Sequence, residues 1–289
     1  MFDHVEAFYR PSTIPEALRF LAKGHGRGRF VAGGTHVVVQ ADRSIRFLVD
    51  ITRLGLDYVR QGSRACVVGA TTTMAGIENS PAMLALANGI LATAASTSGS
   101  VQERNMATVG GDLANASPAA DIATPLLALD AVVVVADARG RRKIPLADFF
   151  SGPHRTVLGR ALLVEIVVPA PPRGGRVGWS FQKLGRTESD ISVVNVAAGL
   201  QVDLRGCCRW TRIALGAVGP TPLRARTAES RLVGQRFDRD VLERVCDAVA
   251  REVRPITDLR ASAEYRRQMS LVLTRRALEE CAARGGCPL

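Results

Sequence analysis

Short apolar runs, separated by glycine, proline and polar residues, organise the first fifty residues and predict a small α/β unit. Thr13 and Glu16 have the spacing of a capping box, so we expect a helix that starts there and ends near Gly24. Residues 29–43 have the pattern of an apolar strand, a glycine pair and an apolar helix, and residues 46–51 predict a further strand.

A second pattern begins near Leu56. The elements that it predicts are, in order, a hairpin of strands 56–61 and 64–70, one alanine- and leucine-rich helix over 82–97, a short helix over 121–130 interrupted by Pro125, and apolar strands over 131–138 and 161–169. The proline- and glycine-rich residues 170–176 then predict a linker.

The remainder of the chain predicts three strands followed by three helices. The strands are 177–184, 191–203 and 211–218. In each of the last two helices, apolar side chains are expected to share one face. In 238–254 they are Val241, Leu242, Val245 and Val249. In 262–283, with Ser262 as N-cap, they are Tyr265, Met269, Val272, Leu273 and Ala277. Strands followed by helices favour an α+β fold. We therefore expect two domains, 1–175 with lobes at about 1–55 and 56–175, and 177–289.

Composition and charge exclude several classes of protein. The longest apolar run in the 289 residues is of strand length, and no secretory pattern is visible, so we expect no membrane span and a cytoplasmic location. The net charge of +11 comes from scattered arginines with few aromatic neighbours, which argues against nucleic-acid binding. The six cysteines match no metal-binding spacing, and we expect free thiols and no metal site.

Two glycine-containing segments are the candidates for ligand binding. In VAGGTH, residues 31–36, a strand runs through Gly33 and Gly34 into a helix whose free N–H groups favour phosphate, although a plain turn explains this segment equally well. ATVGGDLANASPAAD, residues 107–121, combines small residues with the short polar side chains of Thr108, Asn115 and Ser117. Together the two segments predict a dinucleotide cofactor.

No motif for protein-based catalysis accompanies them. The chain has no P-loop lysine, no HExxH and no GxSxG, so a bound cofactor would have to supply the reactive chemistry.

The two segments together resemble the paired FAD-binding signatures of the flavoprotein (medium) subunits of molybdenum hydroxylases, the xanthine dehydrogenase and carbon monoxide dehydrogenase group. The resemblance covers essentially the whole chain in the family's order. It continues in SGSVQERNMATVGG (98–111), FFSGPHRTVL (149–158), ALLVEIVVP (161–169), FQKLGRTESD (181–190) and TDLRASAEYRR (257–267).

This resemblance implies a two-lobed FAD domain of the vanillyl-alcohol-oxidase (PCMH) type followed by the family's C-terminal α/β domain with a three-stranded sheet and helices. By position it implies that FAD contacts Val31, Ala32, Gly33, Gly34, Thr35, His36, Gly99, Thr108, Gly110, Gly111, Asp112, Ala114, Ser117 and Asp121, with Leu163 and Lys183 near the flavin ring. No catalytic acid or base is implied.

Two residues depart from the family's pattern. The family often has Asp or Asn where His36 stands, and usually Asn where Asp112 stands. A carboxylate beside a pyrophosphate is unfavourable unless it meets a hydroxyl or a cation, so the contact of Asp112 is in question. The iron–sulfur insertion of one branch of the family is absent from the sequence, so FAD is expected to be the only redox centre.

The resemblance further implies an electron-transfer subunit. A molybdenum-cofactor large subunit and a [2Fe–2S] small subunit would be its partners in an (αβγ)2 complex, and an external acceptor such as NAD or a quinone would reoxidise the flavin. One alternative is a free-standing FAD-dependent oxidase or dehydrogenase of the same superfamily. Another is a scaffold or nucleic-acid-binding protein that uses the positive charge.

Overall fold

A computed structural model describes residues 4–172 and 174–287 of the chain. The first lobe is a three-stranded parallel sheet of order β1-β3-β2 with one long helix packed against it. Its elements are β1 Ala7–Tyr9, α1 Ile14–Lys23, β2 Gly28–Val31, α2 Thr35–Gln40 and β3 Phe47–Asp50. Thr13 caps α1 as expected, but the Glu16 carboxylate accepts from the amide of Ser12 rather than from that of Thr13.

The second lobe is a five-stranded antiparallel sheet of order β4-β5-β10-β6-β7, with short helices inserted between β5 and β6. The strands are β4 Val59–Gln61, β5 Ala65–Gly69, β6 Val132–Asp137, β7 Gly140–Pro145, β8 Phe150–Gly152, β9 Arg155–Thr156 and β10 Leu162–Pro169, of which β8 and β9 pair only with each other. The helices are α3 Met74–Glu78, α4 Pro81–Ala85, α5 Ile90–Ser96, α6 Val101–Met106, α7 Val109–Asn115 and α8 Ala123–Ala128.

The C-terminal part contains the three expected long strands, and a two-residue strand extends their sheet at one edge. The strands are β11 Arg176–Leu184, β12 Val194–Val202, β13 Cys208–Gly216 and β14 Leu223–Arg224, in the order β11-β12-β13-β14, and the helices are α9 Arg226–Leu232, α10 Arg239–Glu252 and α11 Ala263–Arg284. The predicted linker lies before β11, and its Arg173 is outside the described residues.

The C-terminal sheet is covered on both faces. One face packs on α10 and α11. The other places Trp179, Phe181 and Ala197 in the same core as the helices of the second lobe. Because strands buried on both faces lose the alternation of polar and apolar residues, β12 reads as a nearly continuous apolar run.

The prediction of a single helix over 82–97 is wrong. It breaks at Ala87, Asn88 and Gly89, which all have positive φ, at 50°, 55° and 73°. The break directs the Asn88 side chain to the C-terminal sheet, where its Oδ1 accepts from the amide of Trp179 at 3.0 Å. A long-range hydrogen bond therefore accompanies a conformation that alanine-rich sequence does not favour locally.

Two further expectations are corrected. Pro125 does not interrupt its helix, because α8 begins at Ala123 and the proline lies in the first turn, where no intrahelical N–H bond is lost. The buried face of α11 is rotated from the one expected. Tyr265 is partly exposed, whereas Arg266 is almost completely buried and donates to the carbonyls of Val193 and Ala217 and to Asp258.

Candidate cofactor site

The two glycine segments meet at one place in the fold. Gly33 packs directly on the last residue of α6, because a Cβ at this position would lie 1.6 Å from the carbonyl oxygen of Met106. Met106 is followed by the turn that starts the second segment. Glycine is therefore required at position 33 for contact between the two backbones, in addition to any contact with a ligand.

The amino end of α2 offers unpaired donors. Gly34 is its N-cap in the left-handed conformation, φ 73°, and within the described residues no side chain caps the helix. The first N–H groups of a helix have no intrahelical partner, and they attract anions. This end of α2 thus has the chemistry that a phosphate needs.

The second glycine pair is arranged differently. The Thr108 hydroxyl caps α7 by accepting from the amide of Gly111 at 3.2 Å, so that donor is already used. A Cβ at Gly110 would lie 2.6 Å from the carbonyl oxygen of Ala70, next to the sheet of the second lobe. Gly110 therefore lets α7 approach the sheet, and Gly111 leaves the surface beside its cap without a side chain.

An open cleft of about 320 Å³ lies between these elements. Among the residues expected at the cofactor, those that line it are Val31, Ala32, Gly33, Gly34, Thr35, His36, Thr108, Gly110, Gly111, Asp112, Ala114 and Leu163. The sequence reasoning missed a third wall, formed by residues 156–163 with Thr156, Leu158 and Gly159, and also Arg29 on β2. The signal for this wall in the sequence is the resemblance of 149–158 and 161–169 to the family.

Four expected residues lie outside the lining of this cleft. Gly99 has φ 63° and its carbonyl accepts from Arg104. The Ser117 hydroxyl accepts from the amide of Ala119 at 3.3 Å. Asp121 and Lys183 form an ion pair with each other, and their proposed contact with a cofactor stays a prediction.

The Asp121–Lys183 pair is part of a buried polar cluster. Lys183 Nζ lies 2.7 Å from Asp121 Oδ2 and also donates to the carbonyl of Thr97 at 2.6 Å. The other carboxylate oxygen accepts from the Ser192 hydroxyl and from Asn195 Nδ2. Burial raises the pKa of Asp121, and Lys183 and the other two donors oppose that rise.

His36 and Asp112 face each other across the cleft. His36 Nε2 on α2 lies 3.6 Å from Asp112 Oδ1 on α7, and one turn further along both helices Gln40 donates to Asn115 at 3.0 Å. Interaction with the Asp112 side chain raises the pKa of His36, although partial burial acts in the opposite direction. The second carboxylate oxygen of Asp112 is buried and has no hydrogen-bond partner among the described residues.

These features fit the diphosphate of a dinucleotide. The uncapped end of α2 supplies donors, the glycines keep the backbone accessible, and the small residue Ala114 keeps the adjoining wall low. Asp112 is the one unfavourable group, and His36 stands where a compensating cation is needed. In the described part of the chain, no helix combines the length and the apolar character required to cross a bilayer.

Comparison with known families and proteins agrees with this geometry. The family described as the FAD binding domain in molybdopterin dehydrogenase matches residues 2–171, and the CO dehydrogenase flavoprotein C-terminal domain matches residues 179–281. The xanthine dehydrogenase FAD-binding subunit of Escherichia coli is 32% identical over 295 residues, covering 99% of each chain. The carbon monoxide dehydrogenase medium chain of Hydrogenophaga pseudoflava is 32% identical over 287 residues, covering 96% of this chain and 97% of that one.

A solved structure of carbon monoxide dehydrogenase from Hydrogenophaga pseudoflava superimposes with a TM-score of 0.91 at 31% identity, covering 97% of this chain and 98% of that chain. The similarity therefore extends through both parts of the fold and through the cleft. The chain belongs to the family of FAD-binding medium subunits of the molybdenum hydroxylases, the oxidoreductases of the xanthine dehydrogenase and carbon monoxide dehydrogenase type.

Proposed function

We propose that this chain is the electron-transfer subunit of a molybdenum hydroxylase complex, and that it holds FAD in the cleft between its two glycine segments. The observation that carries the proposal is the meeting of the uncapped amino end of α2 with the Thr108–Ala114 segment at one open cleft. When bound, FAD supplies the redox chemistry. The residues of the chain bind it, orient it and surround it, and no protein acid or base is needed.

We assign the diphosphate to Ala32, Gly33, Gly34 and Thr35, because the uncapped amino end of α2 presents free N–H groups there. Thr108, Gly111 and Ala114 provide the opposite wall, and Leu163 places an apolar side chain in the third wall. Lys183, Asp121, Ser117 and Gly99 are proposed to act further along the same surface. Such contacts would require the cofactor to extend beyond the cleft. We propose that residues 1–175 form the FAD-binding domain and residues 177–289 the C-terminal domain.

The partners follow from the family. We propose a [2Fe–2S] subunit that delivers electrons, a molybdenum-cofactor subunit that oxidises the substrate, and an (αβγ)2 assembly in the cytoplasm. An external acceptor, such as NAD or a quinone, would then take electrons from the flavin. Relatives named for xanthine and for carbon monoxide support the general role, and their different names are what we expect if another subunit selects the substrate.

The test is a flavin spectrum of the purified full chain, produced alone and together with candidate partner subunits. We expect stoichiometric FAD, co-elution with the partners on size exclusion, and bleaching of the flavin when the substrate of the molybdenum subunit is added. A colourless chain that takes up no FAD in either form would overturn the proposal. A flavin-loaded chain that oxidises a substrate alone would favour the free-standing oxidase instead.

A further inference from the structure

The His36–Asp112 contact lies beside the proposed diphosphate seat. His36 follows Thr35 in the first turn of α2, and Asp112 follows Gly111 in α7. The two side chains line the same cleft and are 45% and 17% exposed, respectively. The Gln40–Asn115 hydrogen bond joins the two helices one turn away and keeps this pair in register.

The charge balance at this place is unfavourable for an anion unless His36 is protonated. The Asp112 carboxylate has one oxygen near His36 and one buried oxygen without a partner among the described residues. A diphosphate in the cleft would add negative charge within a few ångströms, where solvent screens incompletely. One proton on the imidazole would place a cation between the two anionic groups.

Other groups modulate the imidazole without replacing this effect. Glu103 on α6 favours its protonation, as Asp112 does, whereas partial burial and Arg29 on β2 oppose it. The amino end of α2 also disfavours a positive charge in its first turn. The net effect raises the pKa of His36 above its ordinary value before any ligand is present.

We propose that the cleft binds FAD together with a proton, which His36 holds between Asp112 and the diphosphate. This inference rests on the proposed function, since it assigns a binding step to that same site. His36 then acts by compensating the negative charge of Asp112 next to the diphosphate.

The pH dependence follows from linkage. Bound diphosphate stabilises the protonated imidazole further, so the pKa of His36 is higher in the complex than in the free protein. Affinity for FAD is therefore greatest below the pKa that His36 has in the free protein. It falls as the pH rises from that pKa to the pKa of His36 in the complex, and above both it is lower but constant. Proton uptake accompanies binding within that window.

The experiment is titration of the flavin-free full chain with FAD by calorimetry, at several pH values between about 6 and 9, the range in which a perturbed histidine titrates. Each titration is repeated in two buffers of different ionisation enthalpy, so that the heat difference counts the protons taken up. We expect uptake for the wild type and none for His36→Asn. That variant should bind FAD about 3- to 5-fold more weakly near neutral pH, as expected for a half-exposed charge pair.

Matched variants separate the charge effect from a local disturbance. Asp112→Asn should retain or tighten FAD binding, and the double variant His36→Asn/Asp112→Asn should bind like Asp112→Asn alone. His36→Gln serves if His36→Asn does not fold. Wild type that binds FAD without taking up protons, or single variants whose effects simply add, would overturn the inference. A wild type that binds no FAD at any pH would instead contradict the proposed function.

Discussion

Lys183 in the first strand of the C-terminal sheet forms a buried ion pair with Asp121 of the second lobe, with Nζ 2.7 Å from Oδ2 and side-chain exposures of 8% and 6%. Ser192 and Asn195, also from the C-terminal part, donate to the same carboxylate. The contact therefore joins the glycine-rich segment of residues 107–121 to the domain that follows it. Its position links the proposed cofactor region to the packing between the two parts of the fold.

Removal of the lysine charge should destabilise the protein markedly. In Lys183→Met, Asp121 would be left as an uncompensated carboxylate in a buried site, which costs about 3–5 kcal/mol. The measurement is the free energy of unfolding in urea. Arg186→Met is the control, because its ion pair with Asp190 involves a well-exposed arginine, and we expect little change. Equal stability of the two variants would refute a structural role for the buried pair.

Gly33→Ala should damage the fold itself. The added Cβ would lie 1.6 Å from the Met106 carbonyl oxygen, and backbone cannot yield as a side chain does. We expect a lower thermal midpoint in the flavin-free chain as well as lost FAD binding. Gly219→Ala is the control, since Gly219, like Gly33, has no positive φ and a Cβ there would meet only the Thr221 carbonyl oxygen at an ordinary 3.4 Å. A Gly33→Ala chain as stable as wild type would contradict the close contact.

Gly111→Val should separate folding from binding. The nearest atom to a Cβ at this position is the Thr108 hydroxyl oxygen at 2.9 Å, a side-chain atom that can rotate away. The valine would then project beside the cleft and block the approach of the cofactor to the backbone. We expect a folded chain, by circular dichroism, that no longer retains FAD. Stoichiometric flavin in this variant would show that the ligand lies elsewhere.

Acid should weaken the contacts made by Asp258. This carboxylate accepts from Arg260 at 2.6 Å and from Arg266 at 2.8 Å. Burial opposes ionisation, but the two arginines prevail and hold the pKa of Asp258 well below its usual range. Because the pKa of Asp258 is depressed in the folded state, its contacts contribute fully to the free energy of unfolding above the unfolded pKa of about 3.9. This contribution is lost as the pH falls below that value.

The check for Asp258 is the unfolding free energy between about pH 2 and 7, the range that brackets the unfolded pKa of aspartate. We expect a smaller acid-dependent loss for Asp258→Asn than for the wild type. Asp203→Asn is the control on an exposed turn, since the backbone amide of Cys207 is the main cause that lowers the pKa of Asp203, and its arginine partner is largely exposed. Parallel pH curves for wild type and Asp258→Asn would rule out this contribution.

The sequence by itself determined most of the elements and the character of the site. Continuous apolar runs identified the long strands, and the glycine pair between a strand and a helix in residues 29–43 identified α2. The helix α7 in the second glycine segment was not predicted. The order of the motifs along the chain was sufficient to identify the family. These features are local or collinear, so they can be read without knowing which residues meet.

Only the tertiary structure decided the features that join distant segments. The helix expected over 82–97 breaks where Asn88 accepts from the amide of Trp179, and Arg266 is buried in α11 where it donates to the carbonyls of Val193 and Ala217 and to Asp258. Position 33 must be glycine because its backbone contacts the carbonyl of Met106, seventy-odd positions away. His36 and Asp112, on two different helices, form a pair. Local propensities differ by about 1 kcal/mol or less per residue, so packing and hydrogen bonds between remote segments override them.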